Sequence, residues 1–288
     1  MPELSLLTLN IANPSPERAE RQLSWLAARD ENVLVLTETK DSAGCRLLAD
    51  AFRAAGYHVS YPKPDYGDYG VMITSRVRAR TDDFGDRVGY LPSRVAAVTL
   101  PAPHGPIQII GAYVPSRDAS LEKTARKRKW LAACTAALAS RNPTHAMVFL
   151  GDLNVLEPDH QPHYKFFAPF EYDFYRQLTH DCGLIDAFRA LHPEKIEHSW
   201  VGRTGDGYRY DHVHCTADLA NTLVSCDYLH QTRIDRLSDH SAVSVRLTIE
   251  PSEPLITSAP ATASAPRRCS NHPARTRAVD GHHKPSTP

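Results

Sequence analysis

Five apolar runs in this chain lead into acids or amides. "LLTLN" ends on Asn10 and "VLVLTE" on Glu38, while "VFLGDLN" carries Asp152 and Asn154. "YRYDH" carries Asp211, and in "RLSDHSAVSVRL" the pair Asp239-His240 stands just ahead of residues that alternate apolar and polar from Val243. Short apolar runs bounded by turn residues read as strands, and the alternation reads as a half-buried one. Further strands are expected over "YGVMITS", "RVAAVTL", "PIQIIGAYV" and "THAMVFLGD". Between them "SPERAERQLSWLAARD" reads as a helix, with Ser15 as its N-cap and Pro16 at its first position. "SLEKTARKRKWLAACTAALAS" reads as a longer one, with Leu131, Cys134 and Leu138 at core spacing. Strands alternating with helices make an α/β chain, and open α/β sheets gather their ligands at the carboxyl ends of the strands.

The 288 residues, 42% hydrophobic and 23% charged, are enough to bury a substantial core. No run approaches the roughly 20 apolar residues of a membrane helix. "MPELSLLTLNI" lacks the basic segment of a signal peptide, so a cytoplasmic protein is expected. The six cysteines are scattered with no CxxC pair and are expected to be free thiols. Residues 1–249 read as one folded domain. Residues 250–288, rich in Pro, Ser, Thr and Ala, are expected to form a disordered tail. Of the 33 bases and 33 acids, five bases and two acids lie from Pro251 onward, which leaves the body 28 against 31. A nucleic-acid binder often carries a basic surplus. Here either the substrate is small or positive charge is concentrated locally.

Acids and amides around one imidazole suit a hard cation such as Mg²⁺ or Mn²⁺ better than zinc. Phosphate-ester hydrolysis needs that help, because general acid–base catalysis supplies only about 10²–10⁴ of the acceleration. His240 needs a carboxylate on one ring nitrogen to fix its tautomer.

In their order over about residues 4–249 the motifs resemble the endonuclease/exonuclease/phosphatase superfamily, and within it exonuclease III and the abasic-site endonucleases. The stretches that carry this are "LTLNI", "LTETK", "GYHVSYPKPDYGDYGVMITSR", "GAYVPS", "FLGDLNV", "GLIDAFRALHPE", "HSWVGR", "YRYDH" and "LSDHSAV". The resemblance implies a four-layer α/β sandwich, with two mixed β-sheets packed face to face and helices outside. It implies Mg²⁺- or Mn²⁺-dependent hydrolysis of phosphodiester bonds in DNA. The alternative is a small phosphoester of a sugar, lipid or nucleotide at the same site. By this resemblance Glu38 binds the metal, with Asn10 and Asp239 beside it. Asp152 orients or deprotonates the attacking water, and Asn154 holds a phosphate oxygen. Tyr113 faces the phosphate, and His240, paired with Asp211, contacts it. Ser116, Trp200 and Arg209 fall on the substrate side.

The chain departs from the abasic-site enzymes at Ala12, at Ser116, in the short stretch from Trp200 to Arg209 and at His212. These bear on abasic-site specificity and leave the phosphoesterase reading in place. In a strand, His212 and His214 point away from the face that Asp211 takes, so no transition-metal site is expected there. The run Arg126 to Lys129 reads as the solvated face of the long helix, with a backbone-phosphate contact as its functional alternative. With no heptad pattern, a monomer is expected.

Overall fold

The computed structural model describes residues 3–260 apart from Tyr66, His104 and residues 142–144. In chain order the strands are β1 (Leu4–Asn10), β2 (Val33–Thr39), β3 (His58–Ser60), β4 (Gly70–Ser75), β5 (Arg80–Asp82), β6 (Val95–Leu100) and β7 (Ile107–Tyr113). They continue as β8 (Ala146–Asp152), β9 (Leu184–Asp186), β10 (Trp200–Val201), β11 (Gly207–Tyr208), β12 (Asp211–Thr216), β13 (Leu223–Leu229) and β14 (Ala242–Leu247). Six of them form one mixed sheet in the order β13-β14-β1-β2-β4-β3, and six a second in the order β5-β6-β7-β8-β12-β9. The main helices are α1 (Pro16–Ala27), α2 (Ala43–Ala54), α3 (Phe84–Val88), α4 (Leu121–Ala139), α5 (Pro169–His180) and α6 (Ala187–Leu191).

The central core lies between the sheets, where Leu6, Val35, Val71 and Val245 of the first meet Val98, Ile109, Leu150 and Val213 of the second. The outer face of the first sheet packs Leu7, Leu9 and Leu36 on α1 and α2, through Leu23, Leu26, Leu48 and Phe52. The outer face of the second packs Ile110, Met147 and Phe149 on α4 and α5, through Trp130, Leu138, Phe174 and Leu178. The result is the expected four-layer sandwich. Gly111 lets the sheets close: a Cβ there would stand 2.5 Å from a Val35 methyl.

Register brings the polar strand ends to one rim. β1 and β2 run parallel, with Asn10 opposite Thr37, and β7 and β8 run parallel, with Tyr113 opposite Asp152. β12 is antiparallel to β8, so its first residue, Asp211, stands opposite Asp152. β14 is antiparallel to β1 and pairs Val243 with Thr8, which places His240 beside the carboxyl end of β1. Five segments far apart in sequence are thus forced to a common edge.

Two expectations change. Residues 250–260, the start of the expected tail, lie along the body. The N–H of Leu255 donates to the Arg76 carbonyl, that of Arg78 to Glu253 and that of Ser258 to Ala55, and Ser252 is buried against Pro101. Main-chain hydrogen bonds do here what the composition denied to apolar burial. The rest of the tail, 261–288, lies outside the described residues. On α4 the solvated-face reading holds for Arg128 and Lys129, which are exposed, while Arg126 pairs with Asp68 at 2.8 Å and Lys127 is buried. The five described cysteines are free and buried. Among the described residues no helix is long and apolar enough to cross a membrane.

Candidate active site

The pit at this rim is built by backbone that few residues tolerate. Glu38 sits at φ 57°, where β2 bulges between Thr37 and Thr39 against β4. A bulge re-aims a side chain, and such a conformation costs about 1–3 kcal/mol. The N–H groups of Ile11 and Asn13, donating to the carbonyls of Thr37 and Glu38, help hold it. Ala12, Asn13 and Asn154 also have positive φ, so strain concentrates around the pit. Gly151, at φ 142°, lies so close to Ala112 that a Cβ would stand 2.1 Å from its carbonyl oxygen, and this tight passage delivers Asp152 to the rim.

Asn10 joins the two sheets. Its Nδ2 donates to Glu38 Oε2 and to Asp152 Oδ2, both at 2.8 Å, and its Oδ1 accepts from the Ala12 N–H. Asn10 therefore serves both carboxylates as a donor. Opposite, His240 Nδ1 lies 2.6 Å from Asp211 Oδ2, the expected acid–imidazole pair, and His240 Nε2 lies 4.0 Å from Asp152 Oδ2. Burial alone would lower the His240 pKa, but the Asp211 and Asp152 charges outweigh it and push it up to about 10. Burial pushes Asp152 up to about 7 against the pull of His240. Glu38 is also raised, by burial, with the Asp239 charge adding to it. Burial and the charges of Glu38 and Asp152 hold the Tyr113 phenol well above its ordinary range.

One ligand atom each from Asp152, Asp211 and His240 lie within 4.8 Å of one another. His240 Nδ1 and Asp211 Oδ2 are spent on each other, while Asp211 Oδ1 is buried without a hydrogen-bond partner and the Glu38 and Asp152 carboxylates remain as the other acids open to a cation. Glu38 and Asp152 share the Asn10 amide, Asp152 takes one further donor from the Asn154 N–H, and both lie with raised pKa values in a buried, acid-rich pit. Oxygen donors with unmet negative charge fit a hard divalent ion.

Asn154 has one amide N–H on the Val114 carbonyl at 3.0 Å, leaving the other for a substrate oxygen. Asp239 is exposed at the rim and accepts from Trp200 Nε1 at 3.1 Å, and Trp200 itself bridges His240 through the main chain. Ser116 is exposed in the segment after β7. Arg209 corrects the expectation of a substrate contact. It is 0% exposed, with its donors on Glu157 at 2.6 Å and Asp186 at 2.7 Å. A guanidinium enclosed by two acids cannot reach a ligand.

Two serines were not anticipated. Ser238 Oγ donates to the Asn10 carbonyl at 2.5 Å and accepts from the His240 N–H at 3.0 Å. Ser199 Oγ accepts from the N–H groups of Tyr210 and Asp211. They lock β1 to the start of β14 and fix where β12 begins. Their place beside "DH" and "W" was the available signal.

A pit of this kind in a four-layer sandwich defines a hydrolase acting on phosphoester bonds. The chain matches the Endonuclease/Exonuclease/phosphatase family over residues 7–264 and belongs to it. Its fold is similar to that of an AP endonuclease from Archaeoglobus fulgidus, with TM-score 0.73 and 23% identity over 85% of this chain and 100% of that one. It is also similar to the 3′ phosphatase NExo from Neisseria bound to a product DNA hairpin, with TM-score 0.72 and 25% identity over 85% and 99%. The 3′-5′ exonuclease NExo from Neisseria meningitidis gives 0.70 and 26% over the same shares. No curated protein matches the chain.

Proposed function

We propose that this chain is a divalent-metal-dependent nuclease of the exonuclease III type, hydrolysing phosphodiester bonds in DNA as a monomer. The observation that carries this is the Asp211–His240 pair facing Asp152 across 4.0 Å, with Asn10 tying Asp152 to Glu38. In this reading Asp152, its pKa raised toward the working pH, takes the proton of the attacking water. His240, protonated and oriented by Asp211, donates from Nε2 to a phosphate oxygen. Asn154 and Tyr113 offer further donors as charge develops there. Glu38 and Asp152, with Asp239 at the rim, would hold Mg²⁺ or Mn²⁺, which when bound neutralises charge on the phosphate and the leaving oxygen. Ser116 and Trp200 lie where the flanking substrate would pass. DNA is supported by what its structural neighbours are described as binding, a DNA hairpin in one case.

The body's slight excess of acid favours a second reading, a small phosphoester at the same pit. To separate them, purified protein with Mg²⁺ is given end-labelled duplex, the same duplex with one abasic analogue, a 3′-phosphorylated duplex and a panel of small phosphoesters. Cleavage of any duplex supports the nuclease. Turnover confined to the small esters removes DNA, and no turnover anywhere removes both.

A further inference from the structure

Lys127 carries a charge that the pit itself does not account for. It lies on α4, is 1% exposed, and its Nζ donates to Glu171 Oε1 at 2.6 Å and to the Asn154 carbonyl at 2.5 Å. Glu171, itself fully buried on α5, also accepts from Arg117 Nε and Nη2 at 3.0 and 2.6 Å and from the Ala168 N–H at 2.9 Å. Lys127 thus has one acid partner already held by another base and one main-chain partner at the edge of the pit.

That main-chain partner matters. Asn154 sits at φ 48°, its N–H donates to Asp152 Oδ1 at 3.0 Å and its Nδ2 to the Val114 carbonyl at 3.0 Å. The Asn154 carbonyl belongs to the peptide after Asn154 and its N–H to the peptide before it; the two meet at the strained φ of 48°, so anchoring the carbonyl restrains the angle at which the N–H is presented to Asp152. An ammonium on the carbonyl is a firm anchor, because charge-assisted hydrogen bonds are about twice as strong as neutral ones. Stability alone explains Lys127 poorly, since a buried ion pair is often no better than an apolar pair of similar volume.

We propose that Lys127 is a positioning residue: clamped by Glu171 and Arg117, its ammonium holds the Asn154 peptide in its left-handed turn and so aims the Asp152 carboxylate into the pit. This rests on the assignment of Asp152 to the reaction.

The test is the double substitution Lys127→Met/Glu171→Met, which removes both charges at nearly constant volume while Arg117 keeps its main-chain acceptors at Phe166 and Asp118. The expected result is a Tm lowered by the loss of Arg117's buried acid and, in the folded protein, a kcat on the order of 10²-fold lower with KM little changed. A full kcat in the folded variant, whatever its Tm, would show that Lys127 serves the fold alone and overturns the proposal. Should the double variant fail to fold, Lys127→Gln, which keeps an N–H donor for Glu171 at shorter reach, is expected to show the same split. A full kcat in that variant overturns the proposal as well. Asp152→Asn is run beside them: if it keeps full activity, the catalytic assignment falls, an outcome distinct from the failure of Lys127.

Discussion

Two buried ionic clusters lie beside β12. On the face toward the other sheet, Asp211 joins Asp152, Glu38 and His240, three acids against one imidazole, with Asn10 as the bridging donor. In the second cluster, Arg209 and Arg189 bind Glu157 while Arg209 also binds Asp186, two guanidiniums against two acids. His212 and His214 line that second cluster beneath Tyr175, fully enclosed. The acids respond in opposite senses. The Arg209 charge, with His212 and His214 beside it, overcomes burial and holds Asp186 well below its ordinary range, whereas burial raises Glu38 and Asp152. A buried cluster that cancels its own charge can serve as structure. One left with excess negative charge is unstable unless a cation arrives, and that marks the reactive side.

The comparison breaks most sharply on activity. Asp152→Asn and His240→Ala are each expected to cut kcat by about 10²–10⁴, with the melting temperature nearly unmoved in Asp152→Asn. A near-normal rate in either would erase the functional half of the contrast. Arg209→Met should do the reverse. It strands Glu157 and Asp186 without their buried partner and is expected to cost about 3–5 kcal/mol in denaturant unfolding, with little change in the kcat of the folded protein. A loss of activity without a loss of stability would return Arg209 to the substrate side.

Acid sharpens the difference further. Glu157 is held down from 4.5 to about 2, so its stabilisation is complete above about pH 4.5 and is lost as pH falls toward 2. At about 1.36 kcal/mol per unit this amounts to about 3 kcal/mol. Unfolding at pH 5, 4 and 3 should therefore weaken more steeply in the unaltered protein than in Glu157→Gln, and parallel slopes would contradict it. The smallest effect is thermal. Mg²⁺ at about ten times its Kd should add about 1.4 kcal/mol to the unaltered protein and much less to Glu38→Gln, as read by melting temperature. Equal shifts would place the ion elsewhere.

The reactive side was largely legible in the sequence because each of its members follows or precedes an apolar run, so strand geometry alone carries it to a sheet edge. The pairing of His240 with Asp211 across 29 positions came from the resemblance of the motifs to a known family, whereas the turning of His212 and His214 to the other face followed from strand geometry. The compensated cluster was not. Arg209 reads as a substrate-side base until Glu157 and Asp186, 52 and 23 positions away, close around it. Lys127 hid in "RKRK", where only its partner 44 positions on makes it an interior residue. Residues 250–260 lack large apolar side chains, yet they bind through main-chain groups that composition does not reveal. Local pattern reports which way a side chain faces; it does not report which charge will neutralise it.

The most direct test is diffraction from crystals soaked in Mn²⁺, with the anomalous signal locating the ion. A peak at the Glu38 and Asp152 carboxylates, lost in Glu38→Gln, is the predicted result. A well-ordered protein with no peak there, or with its ion bound among Glu157, Asp186 and His214, would contradict the assignment of the uncompensated pit as the reactive site.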